Sequence, residues 1–252
     1  MRYFIEFSYV GKQYHGWQKQ PNALSVQQVL EDALSKLLRQ TMALVGAGRT
    51  DAGVHAKQMF AHFDYDSVID VNNLVYRLNA FLPDDIAVHA IFEVEAGSHA
   101  RFDAIERAYE YWVIQKKNPF YSEWAHYVKH PLDIKKMNEA AGQLLEYENF
   151  ECFSKSNTDV KTYLCTIKRA EWVNHEGVLV FTIVANRFLR NMVRAIVGTL
   201  LDVGTGKNGV EDVKAIIKSG DRKNAGPSVP AKGLYLTKVL YPKTILNSTE
   251  IN

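Results

Sequence analysis

Apolar and polar positions alternate over Arg2–Tyr9, where Tyr3, Ile5, Phe7 and Tyr9 fall on one face, and this period of two predicts a strand. A polar, aromatic connector over 11–24 follows. Val26, Val29, Leu30, Ala33, Leu34, Leu37 and Leu38 then recur at the spacing of one helical face, and Ser25 and Gln28 just before and inside it form a capping box. Residues 42–47 read as a short apolar strand, and 59–65 alternate again. Asp70 or Asn72 caps a second helix carrying Leu74 and Leu78, Pro83-Asp84-Asp85 breaks it, and Ile86–Val94 is a fourth strand. The order is β-α-β-β-α-β, the ferredoxin-like unit.

The same order then repeats. Residues 107–115 are strand-like, and Asp133 caps a helix bearing Ile134, Met137, Ala141 and Leu144. Residues 166–173 and 178–185 make a hairpin around His175-Glu176-Gly177. Leu189, Met192, Val193, Ile196, Val197, Leu200 and Leu201 share the face of a long helix that Gly204 and Gly206 end. A further helix over 210–219 and a strand over 234–241 complete the second half. The expected fold is α+β: two ferredoxin-like halves, 1–97 and 98–252, joined into one mainly antiparallel sheet with helices on one side and a cleft between the halves. Residues 119–131 and 220–233 lack periodicity and are expected to line or cover that cleft, and the last ten residues to form a frayed tail.

Of the 252 residues, 47% are apolar and 23% charged, enough for one large or two small domains. A net charge of +2 permits a polyanionic partner without requiring one. Cys152 and Cys165 have the spacing of neither a disulfide framework nor a zinc site, which fits a reducing compartment and gives no redox role. No leader pattern precedes the first strand, and no apolar run is long enough to span a bilayer. The expectation is a soluble, cytoplasmic chain with no membrane association.

Candidate chemistry concentrates in Gly46-Ala47-Gly48-Arg49-Thr50-Asp51-Ala52-Gly53-Val54-His55-Ala56. Three glycines give backbone freedom around one carboxylate, Asp51, and Arg49 and His55 flank it as cations that would favour its ionised form. Such a carboxylate is a nucleophile, a general base or a metal ligand; the plainer alternative is an exposed Asp on a glycine-rich turn. Tyr14-His15-Gly16-Trp17-Gln18 reads first as a seal on a core end and second as a base-stacking surface. Arg107, Tyr109 and Tyr111 share one strand face, unless the segment is an amphipathic edge strand. Arg187, Arg190 and Arg194 form a basic stripe at a helix start, where the dipole disfavours cations, which points to either an anionic partner or a local carboxylate. His126 and His130 read as a surface pair, with no metal site, and glycine-rich nucleotide-binding signatures are absent, so neither a metal nor a nucleotide cofactor is expected.

Taken together, these stretches resemble the TruA family of tRNA pseudouridine synthases. The match runs through Tyr14-His15-Gly16-Trp17-Gln18, the Asp51 loop, His99-Ala100-Arg101-Phe102, Arg107-x-Tyr-x-Tyr111, Met192-Val193-Arg194 with Val197-Gly198-Thr199-Leu200, and Pro230-Ala231-Lys232-Gly233-Leu234-Tyr235-Leu236. The resemblance implies a homodimeric, cofactor-independent and metal-free enzyme that isomerises uridine to pseudouridine at positions 38 to 40 of the tRNA anticodon stem-loop. It places the essential aspartate at Asp51, the active-site tyrosine at Tyr109 and the helix arginine at Arg194. On that basis Arg194 pairs with Asp51, and Tyr109 stacks on a flipped-out uracil. Arg49 fills the vacated space, Arg101, Arg107, Arg187 and Arg190 track phosphates, and Phe188 and Leu236 wall the pocket. Whether Asp51 attacks C1′ of the sugar or C6 of the base stays open. Cys165-Thr166-Ile167 departs from the family's usual Arg-Thr-Ile, so one RNA contact is either missing or supplied by Lys161 or Lys168.

Two other readings compete. A non-catalytic, twin RRM-like RNA-binding module lacks the aromatic signature of its strands and has no use for a glycine-framed Asp beside an Arg. A glycosidase needs two carboxylates, and only Asp51 is so framed.

Overall fold

The computed structural model describes residues 1–155 and 160–246. The architecture is mixed α+β with a mainly antiparallel sheet, and the chain divides into two compact units, Met1–Glu106 with the stretch from Leu236 onward, and Arg107–Tyr235.

The first unit holds β1 (Arg2–Tyr9), α1 (Val26–Leu38), β2 (Val45–Gly46), β3 (His55–Asp64), α2 (Val71–Phe81) and β4 (Ile86–Val94). Its strand order is β4-β1-β3, with β2 on β3, the ferredoxin-like order the pattern predicts. The Ser25 hydroxyl accepts from the Gln28 N–H and Asp70 caps α2 through the Asn73 N–H, so both predicted caps form. The strand expected over 42–47 shrinks to Val45–Gly46. The cause lies in α1: the Met42 N–H donates to the Ser35 hydroxyl at 2.8 Å and the Leu44 N–H to the Glu31 carboxylate at 3.0 Å, so those donors are lost to a ladder. β3 begins at His55, four residues earlier than the alternation suggests.

The central strand is covered on both faces. Tyr3 stacks on Phe63 and Phe7 on Trp17 on one side. On the other, Phe4 meets Phe92 and, edge-on at 5.4 Å, Tyr241, which also packs against Phe60. His62, opposite Phe4 on β3, joins this aromatic cluster.

The second unit carries β5 (Glu106–Ile114), β6 (His126–Tyr127), α3 (Ile134–Gln143), β7 (Ile167–His175), β8 (Val178–Ala185), α4 (Met192–Gly204) and α5 (Asp212–Ser219). Here β5 pairs with β8 and β8 with β7, both antiparallel, while β6 adds a short parallel partner to β5. β8 thus runs along β5 from Arg107 to Ile114, while β6 flanks it only at Val113 and Ile114. Residues 119–131 are not plain loop: they contain a 3-10 turn at Pro119–Tyr121 and then β6. Asp133 caps α3 as predicted. α4 starts at Met192, three residues after Leu189, because Asn191 takes a left-handed conformation with φ 67° that ends any helix upstream. β9 (Leu234–Leu240) follows, and α6 (Lys243–Leu246) is a single turn. The expected frayed tail thus begins with helix, and its remainder, 247–252, lies outside the described residues.

His62 is buried, and desolvation, reinforced by the charges of Arg2 and His99, holds its imidazole down to about 4 from an ordinary 6.5. In the unfolded chain the ring protonates near the ordinary value, so unfolding takes up a proton between those two pH values. Stability is expected to fall as pH drops through that window and to recover as it rises. Thermal unfolding at pH 7 and pH 5 checks this: the native midpoint drops further than that of His62→Gln, which keeps an acceptor but does not titrate.

Candidate active site

The loop that carries Asp51 leaves β2, and the Ala47 N–H continues the ladder to the Phe60 carbonyl at 2.8 Å. It is then tied down from one side by the aromatic connector. Tyr9 and Thr50 hydroxyls share a hydrogen bond of 2.8 Å, and the Trp17 N–H donates to the same Thr50 oxygen at 3.1 Å. The Gly53 N–H reaches the Tyr14 carbonyl, and the Val54 N–H closes a turn onto the Asp51 carbonyl. Residues on both sides of Asp51 are held while its side chain stays partly exposed. That is the arrangement a reacting carboxylate needs.

The brace rests on tight packing. Gly16 has φ +85°, and a Cβ there would sit 2.2 Å from the Thr50 carbonyl oxygen. Tyr14 and Trp17 are buried, and the Tyr14 hydroxyl donates to Asp85 at 2.5 Å. Burial first, then the hydrogen bond to Asp85, raises the Tyr14 phenol well above its usual value, so it remains a donor. The core-sealing reading of this connector holds, with an added task the spacing did not reveal. Of the three predicted glycines, Gly53 does use φ +78°, whereas Gly48 has neither positive φ nor a close neighbour. His55 is not a cationic flank: it is buried, and its Nδ1 accepts the Gly11 N–H at 3.1 Å. Arg49 is exposed on the same loop.

In the second unit, β5 presents Arg107 and Tyr109, both partly exposed, and buries Tyr111. Arg107 donates to the Asn186 carbonyl at 2.9 Å, and Tyr109 meets Phe188 edge-on at 5.1 Å. The structure thus sets the Tyr109 and Phe188 rings against each other, with Arg107 on the same strand bonded to Asn186. The basic stripe is corrected: Arg187 and Arg190 lie in the connector before α4, and only Arg194 is in its first turn.

Arg194 has its own brace. Its Nε donates to the Val229 carbonyl at 2.6 Å, and the Val229 N–H returns a bond to the Arg194 carbonyl. That bond anchors the guanidinium through its Nε. The loop carrying Val229 lies flat on α4: the Gly226 N–H donates to the Thr199 hydroxyl at 2.8 Å, and a Cβ on Gly198 would fall 1.8 Å from the Pro227 oxygen. Arg222 and Asn191 both donate to the Ser228 hydroxyl. Beneath, the Tyr111 hydroxyl donates to the Pro230 carbonyl at 2.9 Å.

Arg101 sits in the turn after β4, and Leu236 is buried on β9; both belong with Asp51 to the first unit, while Arg107, Tyr109, Phe188, Arg187, Arg190 and Arg194 belong to the second. Cys165 is buried, and burial pushes its thiol up to about 11; that of Cys152 rises to about 12 for the same reason. A buried side chain at 165 makes no surface contact, whereas Lys161 and Lys168 are exposed. His126 is no surface residue: it is half-buried on β6 near Tyr111, and burial, then Lys232, lowers its imidazole. Its supposed partner His130 is exposed and accepts from Gln115 through its carbonyl.

A profile of the family described as tRNA pseudouridine synthase matches residues 6–103 and 140–242. The chain belongs to the tRNA pseudouridine synthase family. It is similar to tRNA pseudouridine synthase A of Bacteroides thetaiotaomicron, 51% identical over 98% of this chain and 93% of the relative. The Porphyromonas gingivalis protein of the same name is 50% identical over 97% and 98% of the two chains, and that of Thermoanaerobacter pseudethanolicus 40% over 94% and 98%. Membership makes this chain an isomerase whose substrate is tRNA. No helix among the described residues is long and apolar enough to cross a membrane.

In this tRNA pseudouridine synthase, the residues without a sequence signal are those that brace the Asp51 loop and Arg194. Tyr9, Thr50 and Val229 act through a hydroxyl or a backbone carbonyl, which leaves no periodic signal. The Gly16 contact and the Gly198–Pro227 contact did have one, a glycine inside a motif or a helix. Gly16→Ala is expected to cost about 2 kcal/mol or more of stability, since a Cβ is both strained at that φ and inside contact distance of backbone. Urea unfolding measures the loss, and turnover on tRNA should fall with it.

Proposed function

We propose that the enzyme forms pseudouridine at positions 38, 39 and 40 of the tRNA anticodon stem-loop, with Asp51 as nucleophile or base and the target uridine flipped out of its stack. The observation that carries this reading is a partly exposed carboxylate whose neighbours on both sides are tied to Tyr9, Tyr14 and Trp17. Geometry of that kind supports a reacting group rather than a surface charge. The N1–C1′ bond breaks, the uracil turns, C5 bonds to C1′, the C5 proton leaves and N1 takes one up. Atoms and electrons balance within the nucleotide, so the step calls for no redox partner. Asp51 adds to C1′ of the ribose or C6 of the base, or carries the proton.

In this reading Arg194 holds the charge and rotamer of Asp51, a task that its anchored guanidinium suits. Tyr109 stacks on the extruded uracil and serves proton transfer, while Phe188, already edge-on to that ring, and Leu236 form apolar walls. A paired base is inaccessible until flipped, and Arg49 occupies the space it leaves. Arg101, Arg107, Arg187 and Arg190 follow the phosphates. The enzyme works as a homodimer in the cytoplasm.

Tritium release from tRNA labelled at uridine C5 tests the assignment. Asp51→Ala is expected to release no tritium above background while still binding tRNA; release at the native rate overturns the role of Asp51. Arg194→Lys keeps a charge but loses the planar fork, and is expected to lower kcat by roughly 10²-fold, the scale at which a displaced catalytic group is felt. A loss of affinity with normal turnover at saturation would make Arg194 an RNA contact instead.

A further inference from the structure

The turn after β4 displays an aromatic ring that nothing in the catalytic reading uses. Phe102 is 72% exposed, yet the turn beneath it is tied to the rest of the first unit by several hydrogen bonds. Arg2 donates to the Ser98 carbonyl at 3.0 Å. The Ala100 N–H donates to His62 Nδ1 at 3.1 Å, and the Tyr241 hydroxyl donates to the Ala100 carbonyl at 2.5 Å. The His99 N–H donates to Asp103 at 2.7 Å, and His99 Nδ1 accepts the Arg101 N–H at 3.1 Å. Bonds from β1, from β3 and from the residue after β9 thus converge on six residues.

The ring itself is backed by an aromatic column. The His99 imidazole lies 4.3 Å from the Phe102 centroid, tilted by 36°, and His99 in turn meets the buried His62 at 4.7 Å. The Arg101 guanidinium lies 5.7 Å from the same Phe102 centroid. Exposing a phenyl group to water forgoes the burial that a core position would give it, and an exposed side chain normally sits on a compliant segment. Here the support is rigid and the ring is not buried. A planar apolar face beside a cation matches one chemistry well: a nucleobase against the ring and its phosphate against the guanidinium.

We propose that Phe102, with Arg101, is a stacking platform for an unpaired tRNA nucleotide other than the one that is isomerised. The base must be unpaired, because one inside a helix offers no free face. It is distinct from the target, whose ring partner is Tyr109 on the other unit. The inference rests on tRNA as the substrate and not on the roles given to Asp51 or Arg194. Charge favours RNA over a second copy of this chain: Arg101 adds a cation at the ring, while the Asp103 carboxylate is turned inward to the His99 N–H.

Fluorescence anisotropy with end-labelled, unmodified tRNA transcript tests it on the full chain. Phe102→Ala is expected to raise Kd by roughly 5- to 100-fold, the loss that one base–aromatic stack carries, without changing the slope of log Kd against log salt. Phe102→Trp restores binding, which a folding defect would not allow. Arg101→Gln lowers the salt slope by about one phosphate contact. Phe102→Ala binding as tightly as a tRNA-binding native protein overturns the platform. So does a change of mass in light scattering on Phe102→Ala, which would place the ring between two copies of the chain. A native protein that fails to bind the transcript would overturn the tRNA reading together with this one.

Discussion

The Thr50 hydroxyl, shared between the Tyr9 phenol and the Trp17 backbone N–H, is the interaction on which the candidate site depends. A carboxylate on a loop has too many conformations to react efficiently unless its backbone is fixed. Hydrogen bonds to the neighbouring Thr50 fix the backbone on which that carboxylate stands. β1 supplies one partner and the connector after it the other, so the strand that forms the middle of the first unit also sets the position of Asp51.

Arg194 is held by the same logic through different means. A loop without periodicity lies along α4 because Gly198 leaves room for a backbone oxygen, and its Val229 carbonyl then takes the Nε proton. A main-chain atom takes part in each brace: the Trp17 N–H at Thr50 and the Val229 carbonyl at Arg194. Main-chain donors and acceptors move less than long side chains, and they survive most substitutions at the bracing positions themselves.

This explains which parts of the molecule were legible in the sequence. Elements that bury one face announce themselves: the alternation of β1, the heptad-like face of α1 and the caps Ser25, Asp70 and Asp133 all appear where their chemistry places them. Errors arose where a side chain captures the backbone, as Ser35 and Glu31 do to residues 42–44, and where one residue adopts a left-handed conformation, as Asn191 does before α4. The basic stripe failed for the second reason, since a helical spacing was assumed across a break. Tyr109 and Phe188 both belong to motifs with side-chain chemistry, and their rings are in contact. His55 was misread because a buried acceptor and an exposed cation have the same letter; only the Gly11 N–H tells them apart.

The first unit is not one continuous piece of chain, because Leu236 and the residues after it belong with Met1–Glu106. β3 lies next to β9 in the strand order, yet the two are separated by the entire second unit in sequence. On the ribosome, where synthesis runs from the N-terminus, the half that bears Asp51 therefore waits with an open strand edge until the whole second unit and then β9 have emerged. The scaffold of the Asp51 loop is completed only at that point, and a chain halted before Leu234 would leave that edge unpaired for aggregation or for chaperones to cover.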